Sequence, residues 1–366
     1  MPNFPVASRA SSQTPIALSP LLLRKHLLAG QVIPAHPLAL TPRRTLDARR
    51  QAALTRYYVD AGAGGIAVGV HTTQFAIREH ALLRPVLELA ADASREWMGS
   101  TARPFALIAG VCGDRRQAVD EAETARSLGY HAALVSLGAL PDASESALIR
   151  HCRTVAEVIP VVGFYLQPAV GGRALGFPFW REFAEIANVV AIKIAPFSRY
   201  HTLEVVRAVA EAGRDDIALY TGNDDSIVVD LLTPFEFQVG GRRVTRNIVG
   251  GLLGQWAVWT RRAVQLLDAV KRARRSATLD SGWLARAAAL TDANSAIFDA
   301  AHDYAGCIPG VHEVLRRQGL MRGIWCLDAR EKLSAGQAKE IDRVTRAYPE
   351  LTDDDFVREN VERWLA

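Results

Sequence analysis

A single lysine interrupts one of the most apolar segments of the chain. Lys193 lies inside VVAIKIAP, although the sequence contains only 5 Lys against 38 Arg. Burying an ammonium group costs several kcal/mol unless the group is paired or loses its proton. Desolvation lowers the pKa of a lysine, so its neutral amine becomes available as a nucleophile, which arginine cannot offer. Lys193 is therefore a candidate Schiff-base nucleophile, with a structural ion pair to a carboxylate as the alternative.

A tyrosine occupies a similar position in the preceding apolar segment. Tyr165 in VVGFYLQP precedes Pro168 by three residues, as Lys193 precedes Pro196 by three. This equal spacing predicts that the two side chains lie at matching depth near the C-terminal ends of neighbouring strands. Schiff-base chemistry needs a group that carries protons to and from the substrate oxygen, and a phenol can do so. We therefore predict that Tyr165 is catalytic, with an ordinary core tyrosine as the alternative.

Hydroxyl and imidazole groups follow the second apolar segment. Thr72 and Thr73 in VGVHTTQF bring two hydroxyls and their backbone N–H groups close together. This pair predicts a cradle for a substrate carboxylate. His71 beside them is a candidate for substrate binding or proton transfer, with a structural histidine as the alternative.

Residues near the ends of the last two apolar segments are further candidates for substrate binding. Gly222 and Asn223 follow the seventh segment and Gly250 lies in the eighth. The glycines let a substrate approach the backbone, although tight turns explain them as well. No HxH, HExxH or clustered set of His, Asp and Glu indicates a metal ion, and we expect neither a metal nor another cofactor.

The elements that must position these residues alternate regularly along the chain. Amphipathic helical patterns separate eight short apolar segments, which are Val32–Leu40, Gly65–Val70, Phe105–Val111, Ala132–Leu137, Val161–Leu166, Val189–Ala195, Ile217–Tyr220 and Asn247–Leu253. This alternation is typical of parallel strands joined by crossover helices. A doubly wound open sheet more commonly has about five or six strands and a glycine-rich first turn. We therefore predict an α/β fold, a (β/α)8 TIM barrel.

The chain is longer than a barrel alone, which takes roughly 250 residues. Residues 1–30 predict an N-terminal tail that is rich in Pro and Ser and then briefly helical, and residues 31–275 predict the barrel. Residues 276–366 show only helical patterns and predict a C-terminal helical extension. Within the barrel, Phe235–Thr245 contains a Gly-Gly pair typical of a two-residue hairpin turn. Its position before the last strand predicts a hairpin at the bottom face, with an interface role.

The composition is that of a globular protein, with 49% hydrophobic and 22% charged residues. The basic residues behind the net charge of +4 are scattered and have no aromatic platform among them, which argues against nucleic-acid binding. The four cysteines lie far apart and predict free thiols in a reducing compartment. No stretch resembles a signal peptide or approaches the roughly 18 apolar residues of a membrane span. We therefore predict a cytoplasmic protein that binds no membrane.

Several of these segments together resemble the dihydrodipicolinate synthase/N-acetylneuraminate lyase family, from Gly30 to the C-terminal helices. The matching stretches are GQVIPAHPLAL, AGAGGIAVGVHTTQF, FYLQP, NVVAIKIAPF and YTGNDD. The resemblance implies a (β/α)8 barrel with a C-terminal helical extension, usually a homotetramer, so we expect a dimer or tetramer. It also implies that Lys193 is the Schiff-base lysine and Tyr165 the strand-5 tyrosine. By the same resemblance, Thr72 and Thr73 hold the substrate carboxylate.

Other positions depart from the family pattern. His71 replaces a glycine before the threonine pair, and VSLGALP after strand 4 has no aromatic residue where the synthase has a relay tyrosine. Val170 replaces an arginine with which the synthase binds its dicarboxylic partner, and Arg173 nearby is a candidate substitute. These losses argue against lysine-biosynthetic condensation. The altered strand-2 motif also weakens the interpretation as a sialic-acid lyase.

The leading hypothesis is a class I Schiff-base lyase or aldolase, including a hydratase-aldolase, that acts on a pyruvate-linked 2-oxo acid through a Lys193 imine. A protonated imine withdraws electrons and stabilises an enamine while a C–C or C–O bond breaks. A dehydratase or deaminase that uses the same imine is the second hypothesis. A catalytically silent, metabolite-binding barrel is the third, although such a barrel would have little reason to bury an ammonium group.

Overall fold

An eight-stranded parallel barrel forms the centre of the computed structural model, which describes residues 18–99 and 103–366. The strands are β1 Val32–Pro34, β2 Gly65–Val68, β3 Ala106–Val111, β4 Ala132–Val135, β5 Val161–Leu166, β6 Val189–Ala195, β7 Ala218–Thr221, β8 Phe235–Val239, β9 Arg242–Arg246 and β10 Ile248–Leu253. All except β8 and β9 pair in the order β1-β10-β7-β6-β5-β4-β3-β2. A bridge between Ala35 and Ala67 then joins the β1 and β2 edges. The predicted (β/α)8 barrel is confirmed.

Helices connect the barrel strands and continue beyond them. They are α1 Pro20–Leu28, α2 Ala48–Ala61, α3 Leu83–Met98, α4 Arg115–Ser127, α5 Glu145–Val158, α6 Phe177–Phe183, α7 Arg199–Glu211, α8 Ile227–Leu232, α9 Thr260–Ala273, α10 Gly282–Ile297, α11 Cys307–Arg317, α12 Gln337–Ala347 and α13 Asp354–Leu365. The last four follow the barrel as a helical extension. None of the helices in these ranges is both long and apolar enough to cross a lipid bilayer.

The barrel strands are buried on both faces, as parallel strands covered by helices must be. Successive side chains alternate between the interior and the layer under the helices. Phe164 of β5 packs inside the barrel, whereas its neighbour Tyr165 packs outside, against the helical layer. The short helix α1 covers the N-terminal end of the barrel, because its Leu23 and Leu27 join the interior cluster. Residues 1–17 of the predicted tail lie outside the described residues.

The strands β8 and β9 form the predicted hairpin. They pair in antiparallel register, and Gly240 and Gly241 turn between them with φ of +55° and +76°. Two consecutive positive φ angles are what a tight two-residue hairpin turn requires. Arg246 forms an ion pair with Asp215, which precedes β7, so the hairpin lies at the N-terminal end of the barrel. Its proposed interface role stays a prediction.

Candidate active site

A cavity opens at the C-terminal end of the barrel, where barrel enzymes place their active sites. Much of its lining is apolar, and its polar lining residues are His71, Thr72, Gln167, Lys193, Asp224, Tyr304 and Cys307. His71, Thr72 and Lys193 are among the site residues predicted from the sequence, and the other four are not. Within the described ranges, no group of three or more His, Cys, Asp and Glu side chains is arranged to hold a metal ion.

Lys193 lies in the middle of β6 and points into the barrel, whereas Ile192 and Ile194 on either side pack outwards. Only 7% of Lys193 is exposed, and its Nζ lies 4.4 Å from the ring centroid of Phe164. Burial lowers the pKa of Lys193 to about 8, although the negative charge of Asp224 partly opposes this shift. The neutral, nucleophilic form of the amine is therefore more accessible near pH 7 than in an ordinary lysine.

Gly222 follows β7 and makes room for the lysine. A Cβ at this position would lie 2.8 Å from Lys193 Cε and 2.7 Å from the Cβ of Ala195, both far inside ordinary contact distance. Gly222 also lines the cavity. The prediction had assigned this glycine to the approach of a substrate, and the structure shows that the lysine side chain itself needs the space.

Tyr165 does not face the cavity, which corrects the predicted pairing with the lysine. The β5–β6 register pairs Lys193 with Phe164, and residues that pair side by side point to the same face. Tyr165 therefore points outwards, where its ring stacks on His201 at a centroid distance of 5.7 Å. Its hydroxyl accepts a hydrogen bond from the backbone N–H of Leu175 at 3.2 Å. Tyr165 is a core residue between β5 and the helices.

The threonine pair is only partly where it was predicted to be. Thr72 lines the cavity, but its hydroxyl donates to the carbonyl oxygen of Ala35 at 2.8 Å. The Thr73 hydroxyl donates to the carbonyl of His36 at 2.7 Å and accepts bonds from two backbone N–H groups of its own loop. A hydroxyl has one proton to donate. Neither hydroxyl is therefore free to donate to a substrate carboxylate, and Thr73 fixes the loop instead.

His71 lines the cavity beside Thr72. Desolvation lowers the pKa of His71 to about 4, and the positive charge of Lys193 adds to this effect. The imidazole is therefore neutral near pH 7, so it can accept a proton from a group in the cavity. This agrees with the predicted position of His71 in the site.

Asp224, in the segment YTGNDD, is an acidic neighbour of the lysine that was not among the predicted site residues. Its Oδ1 accepts a hydrogen bond from the backbone N–H of Gln255 at 3.1 Å. Burial raises the pKa of Asp224 to about 7, while the charge of Lys193 acts in the opposite direction. A carboxyl group with such a pKa can both donate and accept a proton near neutral pH.

Two other predicted substrate-binding residues lie away from the cavity. The Asn223 amide donates to Asp230 Oδ2 at 2.9 Å and to Thr202 Oγ1 at 3.1 Å, so it holds the loop after β7 from behind. Gly250 lies low in β10, where an added Cβ would come within 2.5 Å of the Gln31 carbonyl oxygen. Both predictions are therefore corrected. The Asn223 side chain is hydrogen-bonded within the protein, and Gly250 leaves room for the backbone of Gln31 and not for a substrate.

The family model of the Dihydrodipicolinate synthetase family matches residues 29–260 of the chain. The chain belongs to this family. Family members are class I Schiff-base aldolases and lyases that act on pyruvate. The chain is accordingly a Schiff-base-forming lyase, as the leading hypothesis expected. No curated protein matches the sequence.

Solved structures of family members share the fold. N-acetylneuraminate lyase from Fusobacterium nucleatum matches with a TM-score of 0.68 and 16% identity, over 88% of this chain and 99% of that chain. Dihydrodipicolinate synthase from Oceanobacillus iheyensis matches with a TM-score of 0.67 and 16% identity, over 89% and 99%. YagE, a prophage protein of this family from E. coli K12 in complex with pyruvate, matches with a TM-score of 0.68 and 19% identity, over 88% and 98%.

Arg173 does not replace the arginine that the family resemblance led us to expect in the site. Its guanidinium donates to the carbonyl oxygens of Leu140 and Ala143 at 2.7 and 3.0 Å, so it ties two loops together. Val170 lines the cavity at the position where the resemblance implies the family's arginine. No arginine is among the described residues that border the cavity. The prediction that Arg173 binds substrate is therefore corrected.

The helical extension contributes part of the cavity wall, which the sequence analysis did not anticipate. Phe298, Tyr304 and Cys307 lie between the end of α10 and the start of α11, and all three line the cavity. Burial, strengthened by the charge of Asp224, raises the pKa of the Cys307 thiol, so this cysteine stays protonated. The family's barrel thus receives a wall from a segment that follows it in the chain.

Proposed function

We propose that Lys193 forms an imine with pyruvate or a closely related 2-oxo acid, and that the derived enamine makes or breaks a C–C or C–O bond. The observation that carries this proposal is the buried amine, with a pKa of about 8, at the inner wall of a cavity at the C-terminal end of the barrel. The neutral amine attacks the C2 carbonyl carbon, and loss of water gives the imine. Its protonated form stabilises the adjacent carbanion as an enamine.

Two groups beside the lysine are suited to move protons during this sequence. His71 is neutral because of its low pKa, so it can accept a proton from the amine or from the substrate methyl group. Asp224, with a pKa of about 7, can exchange protons with Lys193. In this proposal the protonated imine is stabilised by the carboxylate form of Asp224, whose charge already raises the pKa of the amine.

The substrate carboxylate is proposed to bind at the turn formed by His71–Thr73. This segment is a short 3-10 turn, and the first N–H groups of such a turn have no partner within the turn. Backbone N–H groups are good ligands for carboxylate oxygens. The hydroxyls of Thr72 and Thr73 then act indirectly, because their bonds to the β1 loop fix the position of the turn.

The remainder of the substrate is proposed to be neutral and apolar. Phe164, Val170, Phe197 and Phe298 line the cavity, and its described lining contains no arginine for a second carboxylate. Burying a carboxylate without a partner is strongly unfavourable, whereas an apolar aldehyde or leaving group gains free energy from contact with these side chains. An aldol reaction with an apolar aldehyde fits this lining better than a reaction of a dicarboxylic partner.

The proposal also includes a cytoplasmic homo-oligomer, either a dimer or a tetramer. Family membership supports assembly, as do Leu21 and Leu22, which are exposed on α1. The described cysteines are all free thiols, which supports a reducing compartment. Sedimentation velocity at several protein concentrations tests the assembly, and a protein that remains a monomer throughout would contradict it.

Hydrogen exchange of pyruvate in D2O tests the proposed chemistry. Enamine formation releases a proton from C3, so ¹H NMR should show loss of the pyruvate methyl signal with the wild-type protein. Lys193→Arg should abolish this exchange because arginine keeps its charge but cannot act as the nucleophile. Lys339→Arg, on the exposed surface of α12, is the matched control and should exchange like the wild type. Exchange by Lys193→Arg at the wild-type rate would refute the proposal.

A further inference from the structure

We propose that Tyr304, supplied by the helical extension, is the catalytic proton-transfer residue of the Lys193 site. The inference rests on the proposed imine at Lys193 and names a residue for one of its steps. It would mean that the segment between α10 and α11 completes an active site that the barrel strands leave without a phenol.

The β5 position facing the lysine carries no hydroxyl. Phe164 pairs with Lys193 in the β5–β6 register, and its ring, not an oxygen, lies against the Lys193 Nζ. The neighbouring Tyr165 points to the helical layer, where its hydroxyl is bonded to the backbone. The substrate oxygen released at C2 therefore needs a proton donor from somewhere other than β5.

Tyr304 borders the same cavity as Lys193. Its ring meets Phe197 edge to face, with a centroid distance of 5.7 Å and an interplanar angle of 80°. Gln167 also lines the cavity. Burial raises the pKa of Tyr304, and the charges of Asp225 and Asp224 raise it further, so the phenol stays protonated and can donate.

The segment that presents Tyr304 is held in an unfavourable backbone conformation. The backbone φ angles of Asp299, Asp303 and Tyr304 are +58°, +51° and +67°, values that residues other than glycine rarely adopt. Such residues cost about 1–3 kcal/mol each and persist where the surroundings enforce them, often at active sites. Here the buried Asp299 carboxylate enforces the fold of the segment, because it accepts bonds from the Gly306 N–H at 2.9 Å and from the Ser334 hydroxyl.

The proton balance of imine formation gives this phenol a defined task. The lone pair of the Lys193 nitrogen forms a bond to C2, and the C=O π electrons move to oxygen, which takes the Tyr304 proton. The phenolate then takes a proton from the nitrogen, which leaves a neutral carbinolamine. In the next step the C2–O bond breaks, the leaving hydroxide takes the Tyr304 proton to become water, and the nitrogen lone pair forms the C=N bond. The protonated imine then either returns its N–H proton to the Tyr304 phenolate or keeps that proton while the enamine forms.

His71 and Asp224 are the other groups in the cavity to consider for this task. Asp224 is assigned to the positive charge of the imine, which it stabilises in its carboxylate form, and the structure favours a different use for His71 as well. With a pKa of about 4, His71 is rarely protonated near pH 7 and seldom has a proton to donate there. A donor to the carbinolamine oxygen must carry its proton before the step begins. Tyr304 does so throughout the neutral range, and His71 does not.

Two variants test the inference by pyruvate C3 exchange in D2O, with borohydride trapping of the imine over time as a second readout. Tyr304→Phe should slow both rates by about 10²–10⁴-fold, the usual contribution of a general acid–base group. Tyr165→Phe is the matched control, because it removes the same oxygen from the other side of β5, and it should remain close to the wild-type rate. Thermal unfolding of each variant checks that the fold is retained.

The outcomes separate this inference from the proposed function. If the wild type exchanges and traps pyruvate but Tyr304→Phe does so equally fast, the inference is refuted while the imine at Lys193 stands. If the wild type itself neither exchanges nor traps pyruvate, the proposed function fails first. A loss confined to Tyr304→Phe, with Tyr165→Phe active and both variants folded, supports the inference.

Discussion

Substitution of Gly222 by alanine should disable the lysine without unfolding the protein. The new methyl carbon would lie 2.8 Å from Lys193 Cε, which must retreat by at least about 0.6 Å to reach the 3.4 Å of ordinary contact. The Cβ of Ala195, at 2.7 Å, adds a second clash on the strand itself. Excess volume of this kind destabilises a core by about 1–3 kcal/mol. Misplacing a reacting group by about 1 Å can cost on the order of 100-fold in rate.

We therefore expect Gly222→Ala to slow borohydride trapping of pyruvate by about 10–100-fold and to lower thermal stability modestly. Gly176→Ala is the control, because its methyl group would meet nothing closer than Pro178 Cδ at 3.5 Å. The assay is the time course of the covalent adduct by intact-protein mass spectrometry. A folded Gly222→Ala protein that traps pyruvate as fast as the wild type would show that Lys193 does not react from its position beside Gly222.

Two further predictions follow from the charges in the cavity. Because burial lowers the pKa of Lys193 to about 8, the rate of pyruvate trapping should rise from pH 6 to about pH 8 and then level off. Asp224→Asn removes a negative charge that raises this pKa, so the midpoint of the pH profile should shift to lower pH. A midpoint that does not move would contradict the electrostatic pairing of Lys193 with Asp224. Condensation of pyruvate with aspartate semialdehyde should be negligible, because Val170 offers no cation and Arg173 is bonded to Leu140 and Ala143. The missing charge-assisted bond to the second carboxylate is alone worth about 1.5–3 kcal/mol of binding. A coupled assay that shows condensation at a rate typical of biosynthetic enzymes would refute this prediction.

The sequence was sufficient to predict the barrel and to single out Lys193 as its candidate nucleophile. Eight apolar segments alternating with helical patterns admit few other folds, and an isolated lysine in such a segment has few structural uses. The prediction for Tyr165 failed because it used only the distance along the chain to the following proline, which does not determine the face of the strand on which the side chain lies. Side-chain direction depends on strand register, and a register irregularity between β5 and β6 leaves Phe164, not Tyr165, beside Lys193. A shift of one residue reverses the face of a strand residue.

Other parts of the site depend on contacts that no local pattern specifies. Tyr304 reaches the cavity from the helical extension, and only the tertiary packing of α10 and α11 against the barrel brings it near Lys193. The sequence places Thr72 and Thr73 in the loop after β2, but it does not show that their hydroxyls donate to the β1 loop. Those hydrogen bonds depend on how the ends of the two strands meet. Asp224 had a usable signal, since YTGNDD places an acidic residue in the loop just after the C-terminal end of a barrel strand.

The proposed chemistry depends above all on Lys193 being the residue that reacts. Reduction with borohydride in the presence of pyruvate, followed by proteolysis and tandem mass spectrometry, tests this most directly. We predict one covalent adduct, located on the peptide that contains VVAIKIAP and absent from Lys193→Arg. An adduct on Lys271 or another lysine instead, or no adduct with pyruvate or any related 2-oxo acid, would contradict the proposed role of Lys193.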